Sequence, residues 1–289
     1  MSPDLGFGVS INASTGLDPA SEAMHAESLG FDMATVTDHL AGTRPTYETW
    51  TMLTWMAGAT ERIGLGTDVL GLPYRHPAVV AKMAETLDRL SGGRLTLGLG
   101  GGGSNAEFRA FGLPVRPPRE KVDAQAEALR VIRGLWGEEA VSLEGQHYPL
   151  REATIAPRPD RRIPIWLGTY GPRGLGLVAR YGDGWIPSLP YLPPDRFVER
   201  RDVLRRKAEE AGRDPDELTY AYNMGVRVDE RAQKRDRVVI GGPDEVVDTL
   251  VGFARMGVTF LNLWPAGEAP EQRERLAKEI VPALREAAG

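Results

Sequence analysis

The segment TVTDHL sets Asp38 directly before His39, an acid and an imidazole at the end of an apolar run. Histidine exchanges a proton near neutral pH and a neighbouring carboxylate can fix its orientation, so the pair is a candidate proton donor and acceptor. The plainer alternative is a loop aspartate holding a turn beside a solvated imidazole. In GTDVLGLPYRHP, Asp68 interrupts apolar residues, and a carboxylate there needs a partner or a role; a bond to loop backbone would also satisfy it. His76, just before Pro77, reads as a helix cap or a surface residue. In LGLGGGGSNAEF, Ser104 or Asn105 can cap a short helix whose first turn carries Glu107. In LGTYGPRGLG, the N–H groups of a helix starting at Pro172, with Arg173 beside them, favour a phosphate site over the alternative of an ordinary Gly-Pro turn. The six tryptophans read as core by default, with Trp50 and Trp185 near enough to strand ends to line a pocket. His25 and His147 have no visible chemical partner in the sequence.

These residues need elements to carry them. Short apolar runs alternate with helix-period segments along the 289 residues. Strands are expected at 5–12, 31–38, 63–71, 94–100, 164–168, 184–189, 218–228 and 260–265. The principal helices lie near 19–29, 46–59, 77–91, 119–136, 173–182, 194–211, 243–256 and 270–287, with a short extra helix near 104–111. Eight strands alternating with eight helices give one α/β domain over residues 1–289, a closed (β/α)8 TIM barrel whose functional groups belong at the strand C-termini. Glycines in AESLGFD, ARYGDGW and ARMGVTF are expected to close helices in the left-handed conformation. Between 138 and 162, alternation around EGQ predicts a β-hairpin inserted ahead of the fifth strand.

Gly98 to Gly103 also satisfies G-x-G-x-x-G, a pattern that means dinucleotide binding only inside a compact βαβ unit. Here the glycines end the fourth strand, and PVRPPR at 114–119 breaks the chain where such a unit needs a continuous helix. The run is therefore expected to leave a side-chain-free floor at the barrel rim instead. Thirty-five basic against forty acidic residues, scattered along a chain of net charge −5, argue against nucleic acid or a membrane surface as partner. The absence of cysteine excludes thiolate nucleophiles, disulfides and cysteine-ligated metals, and no metal site is expected. No window approaches a membrane span, so a soluble, cytoplasmic protein is expected.

Taken together and in order, GFDMATVTDHL, TERIGLGTDVLGLPYRHPAVVAKMAETLDRLSGGRLTLGLGGGGSNAEFRAFG and PIWLGTYGPRGLGLVARYGDGW resemble the bacterial luciferase-like superfamily of flavin and deazaflavin oxidoreductases. The resemblance covers nearly the whole chain. It implies the same barrel, a homodimer or larger homo-oligomer, and either coenzyme F420, a deazaflavin hydride carrier, or reduced FMN with oxygen. It sets Asp38 and His39 by the redox face of the ring and a non-prolyl cis peptide, Asp68–Val69, against its back. It puts the ring's polar edge near Gly101, Gly102, Gly103, Asn105 and Glu107, and the phosphate near Gly168, Thr169, Tyr170, Gly171 and Arg173. Four consecutive glycines stand where many relatives carry a bulky aromatic, which widens the pocket and leaves substrate preference open.

The Asp-His pair favours F420. The expected activity is hydride transfer between deazaflavin C5 and a small organic substrate, with His39 as proton partner, Asp38 orienting it or the ring, and Glu107 as a further acid. The alternatives are an FMN-dependent monooxygenase and a non-catalytic ligand-binding barrel.

Overall fold

The computed structural model describes residues 5–12, 14, 16–41 and 45–288. In chain order the strands are β1 (Gly6–Ser10), β2 (Met33–Val36), β3 (Gly64–Thr67), β4 (Leu70–Gly71), β5 (Leu95–Gly100), β6 (Val141–Leu143), β7 (Leu150–Ala153), β8 (Ile165–Gly168), β9 (Gly184–Trp185), β10 (Thr219–Val228), β11 (Val238–Gly241) and β12 (Phe260–Pro265). Parallel pairing runs from β1 through β2, β3, β5, β8, β9, β10 and β12 and returns to β1, closing an eight-stranded barrel. The short β4 resumes the third strand beyond the Asp68–Val69 bond, which is cis, and pairs with β5. The expected hairpin is present as antiparallel β6 and β7, ahead of β8. One strand was not foreseen: β11 adds in parallel to the upper half of β10, where the sequence suggested loop.

Helices cover the barrel between strands, among them Thr49–Ala59, Pro77–Leu90, Pro118–Gly137 and Pro172–Tyr181. Two of the three helix-closing glycines adopt the left-handed conformation, Gly30 at φ 81° and Gly257 at φ 89°. The third, Gly182, does not; its φ is −84°, and a Cβ there would sit 3.0 Å from the Val178 carbonyl oxygen. Close packing against the helix it ends accounts for that glycine. No helix among the described residues is long and apolar enough to cross a membrane.

The strand glycines explain how the barrel fills. Met33, Trp166, Ala221 and Phe260 form an apolar plug with Ile186, and the rings of Trp166 and Phe260 meet edge to face at 5.0 Å. A Cβ at Gly6 would lie 2.5 Å from Phe260, and one at Gly184 would lie 2.5 Å from Trp166. Large side chains on some strands thus require bare positions on their neighbours, and the interior is a packed core. Side chains two residues apart share a strand face, so β12 carries Phe260, Asn262 and Trp264 in ascending order toward the C-terminal mouth.

Candidate active site

Loops at that mouth bring together side chains from three strand ends. His39 follows β2 and leaves its imidazole more than half exposed, while its Nδ1 lies 2.9 Å from Glu107 Oε1. Glu107 stands on the short helix Asn105–Ala110, whose N-terminus is capped by Ser104 Oγ accepting the Glu107 N–H at 3.3 Å. Beneath it, Phe108 is fully buried with the Tyr74 ring 5.1 Å away, and a Cβ on Gly102 would come within 2.4 Å of Phe108. Packing therefore fixes the helix, and the helix aims the carboxylate across the mouth. Its Oε2 accepts from the Tyr74 hydroxyl at 2.7 Å and from the backbone N–H groups of Leu40 and Ala41 at 3.0 and 3.4 Å.

Burial would raise the Glu107 pKa, but the Tyr74 and His39 hydrogen bonds and the Ala41 N–H outweigh it and hold the carboxyl at about 2. An ionised carboxylate only accepts, so neutral His39 carries its hydrogen on Nδ1 and turns a bare Nε2 lone pair outward. Burial, together with the Glu107 hydrogen bond and charge, pushes the Tyr74 phenol well above its usual range, so it stays a donor.

Asp38 does not orient His39, contrary to what their adjacency suggests. Its enclosed carboxylate accepts from the Gly71 N–H at 2.8 Å and from both terminal nitrogens of Arg75 at 2.8 and 3.3 Å. Neighbours in sequence near a strand end face different ways, and here the guanidinium wins the aspartate while Glu107 takes the imidazole. Arg75 also binds Glu48, the N-cap of helix Thr49–Ala59. Burial pushes the Glu48 carboxyl up, but the Thr51 hydrogen bonds and the Arg75 bond pull it down to about 2.

Asp68, just after β3, reaches across the barrel to side chains of β10 and β12. Its Oδ1 accepts from Asn223 Nδ2 at 2.5 Å, and its Oδ2 accepts from Asn262 Nδ2 at 2.9 Å and Trp264 Nε1 at 3.2 Å. Side chains, not loop backbone, satisfy this carboxylate. Burial pushes its pKa up to about 6 against the pull of those three hydrogen bonds. Val69, after the cis bond, faces the glycines: Cβ atoms at Gly100 and Gly168 would lie 2.6 and 3.1 Å from its Cγ2. Gly98 is bare because a Cβ there would lie 1.9 Å from the Thr67 carbonyl oxygen. These glycines thus accommodate the bent third strand as well as leaving a floor, whereas Gly103 has open space around it.

The remaining expected residues divide. Asn105 Oδ1 accepts from Lys121 Nζ at 2.9 Å, and Lys121 also donates to the Gly102 carbonyl at 2.8 Å. Gly171 caps the helix Pro172–Tyr181 with no side chain covering its N–H groups. Arg173, however, is bonded to Asp123 on the helix Pro118–Gly137 and is not held free for a phosphate. Thr169 is buried, and its carbonyl accepts from Trp185 Nε1 at 2.8 Å. Tyr170 has its phenol pushed up to about 12, chiefly by burial. His76 caps the helix Pro77–Leu90 through Nδ1. Trp50 and Trp185 are core, but Trp55 is exposed and Trp264 belongs to the site. His25 finds a partner after all, its Nδ1 lying 3.1 Å from the buried Arg273.

Sequence reasoning passed over Tyr74, Arg75, Asn223, Asn262, Trp264 and Lys121. A usable signal existed for the two asparagines, each a lone polar residue within an apolar strand, in YAYNMGV and FLNLWP.

The model of the luciferase-like monooxygenase family matches residues 18–240. The chain belongs to that family. It is 33% identical, over 97% of both chains, to the F420-dependent glucose-6-phosphate dehydrogenase of Beutenbergia cavernae. It is 36% identical to a phthiodiolone/phenolphthiodiolone dimycocerosates ketoreductase of Mycobacterium tuberculosis, over 62% of this chain and 47% of that one. Among solved structures, an F420-dependent secondary alcohol dehydrogenase in complex with an F420-acetone adduct superposes with a TM-score of 0.88. The sequences are 20% identical, and the match covers 98% of this chain and 99% of that one. The coenzyme F420-dependent tetrahydromethanopterin reductase of Methanopyrus kandleri follows at 0.84 and 22% identity, over 97% and 99%. At these identities the two structures speak for the shared fold.

Proposed function

We propose that this protein is a coenzyme F420-dependent oxidoreductase acting on a small organic substrate. The observation that carries the reading is the His39–Glu107 pair, at the mouth of a barrel whose full-length relative is named F420-dependent. The residues present fit a flat ring with a phosphate tail. Val69 offers an apolar shelf backed by Gly100 and Gly168, Gly103 has open space around it, and the helix start at Pro172 keeps its N–H groups free of side-chain caps. On this reading Val69, Gly101, Gly102, Gly103 and Asn105 surround the ring, Asp38 acts from behind through the Arg75 and Gly71 bonds that enclose it, and Gly168, Thr169, Tyr170 and Gly171 receive the phosphate. Arg173 joins them on exchanging its partner Asp123 for the anion.

Bound deazaflavin supplies a carbon that accepts or donates a hydride. The chain's own part is the proton. His39 Nε2 takes a proton from the reacting hydroxyl, or returns it from the imidazolium to a carbonyl, while Glu107 stabilises the charged ring through Nδ1. Glu107, held near 2, remains the anion throughout. Asp38 and Arg75 keep the loops after β2 and β4 in register, so that His39 and Tyr74 face the same space.

The test is a parallel titration of the purified protein with F420 and with FMN, each oxidised and reduced, followed by fluorescence. F420 binding at micromolar concentration, with FMN at least tenfold weaker, is expected; the reverse order makes the protein an oxygen-using FMN monooxygenase. A cytoplasmic homo-oligomer completes the reading, and the exposed Trp55, Val79 and Leu90 on neighbouring helices support the oligomer.

A further inference from the structure

The barrel has a second concavity, at the end away from His39. A cavity of about 770 Å³ opens where three strands begin: Leu5 precedes β1, Leu218 precedes β10 and Val258 precedes β12. That volume lies in the range of small-molecule pockets. Chemistry on a (β/α)8 barrel belongs to the opposite rim, and the hydride-transfer reading makes no use of this end.

The cavity has an apolar floor and cationic walls. Leu5, Leu218, Val258 and Leu284 line it while each is more than nine-tenths buried. Arg201 and Arg205 stand one turn apart on the helix Pro194–Glu210, and Arg255 ends the helix Pro243–Arg255. Like charges at that helical spacing repel and call for acids beside them. Two are present: Asp202 accepts from Arg201 Nη2 at 2.7 Å, and Asp216 from Arg205 Nη1 at 2.6 Å. Arg201 also donates to the Met256 carbonyl, and Gly257 makes room for it, since a Cβ there would lie 2.7 Å from Nη1. Arg255 has no carboxylate partner among the described residues. Tyr220 lines the cavity as well, and its phenol, pushed up to about 12 chiefly by burial, adds no charge. Three guanidiniums thus face two carboxylates, and one positive charge is left over an apolar floor.

We infer that this cavity is a second ligand site, for a monocarboxylic acid with an apolar chain or ring. The carboxylate supplies the charge that Arg255 lacks, through the paired N–H donors of a guanidinium, and the apolar body covers the leucines and Val258. A cationic ligand would add to the excess charge, and a neutral one would leave it unmatched. A bound acid joins the starts of β1, β10 and β12 to the surrounding helices, so it stabilises the folded chain by mass action. The site lies apart from the mouth and stands whether or not the chain uses F420.

The test needs no cofactor. Octanoate, octanol and octylamine, one chain with three head groups, are titrated into the full-length protein by calorimetry and followed in thermal melts. Octanoate is expected to bind at submillimolar concentration and to raise the melting temperature, with octanol about tenfold weaker and octylamine silent, the difference being a hydrogen bond to a charged group. Arg255→Gln, at an exposed position, should bring octanoate down to the level of octanol. Ala287→Trp, exposed in the last turn of the helix Val281–Ala288, fills the cavity without touching its charges and should block both ligands. Octanoate that binds parent and both variants equally sits elsewhere on the molecule and overturns the proposal. Octylamine binding as tightly as octanoate overturns it too, as does a parent protein that takes up no octanoate at millimolar concentration. Failure of F420 to bind would leave all these outcomes in place, so the two readings fail separately.

Discussion

His39 carries its exposed imidazole on one hydrogen bond, and the loss of that ring separates chemistry from folding. His39→Ala removes no core packing, so the melting temperature should change little while turnover falls by about 10²-fold or more. Unchanged turnover with F420 removes His39 from the mechanism. Arg75 is the opposite kind of residue. Its guanidinium neutralises the wholly enclosed Asp38, and Arg75→Ala strands that charge among the loops of the mouth. Breaking a buried pair from one side costs about 3–5 kcal/mol, a loss that denaturant titration resolves easily. An Arg75→Ala protein as stable as its parent would mean that water reaches Asp38 freely.

At the scale of elements, the third strand organises the site, because it breaks at the cis bond and resumes as β4 to present Asp68, Val69, Tyr74 and Arg75 together. Gly98 lets that break sit against β5. Gly98→Ala would force the Thr67 carbonyl aside, and overpacking of this kind costs about 1–3 kcal/mol. The same variant should weaken cofactor binding in the fluorescence titration, whereas Gly103→Ala, with open space around it, should change stability by less than about 0.5 kcal/mol. Much of this scale was legible in the sequence. Strand after strand declared itself as a short apolar run before a helical period, and the hairpin showed in its alternation. The run VVIG in β11 is too short for its period to distinguish it from loop, and it owes its place to the long β10 beside it. Side-chain partners were less legible. Asp38 and His39 are adjacent in sequence and diverge in space, while His39 and Glu107 meet across 68 positions through a helix aimed by the buried Phe108.

Over the whole molecule, acid groups shifted in opposite directions shape stability against pH. Glu48 and Glu107 both sit at about 2 in the folded protein, where hydrogen bonds and cationic partners overcome burial; hydrogen bonds also lower Glu27 and Glu127. Their contribution is complete above the unfolded carboxyl range and is lost as pH falls from about 4.5 toward 2. Asp68 works the other way. Raised to about 6 from 3.8, it keeps its proton in the folded state at pH values where the unfolded chain has released it. The folded state then binds more protons, so stability falls as pH rises through that window, by about 3 kcal/mol in all. The ligand-free protein should therefore gain stability steeply from pH 2 to about 4.5, gain less than its other carboxylates alone would give up to pH 6, and level off above. Asp68→Asn should remove the opposing component alone. The difference in unfolding free energy between parent and variant should move against the parent from pH 4 to pH 6 and stay flat beyond. A constant difference across that range would mean that Asp68 is already ionised at pH 4, with the donors of Asn223, Asn262 and Trp264 outweighing its burial.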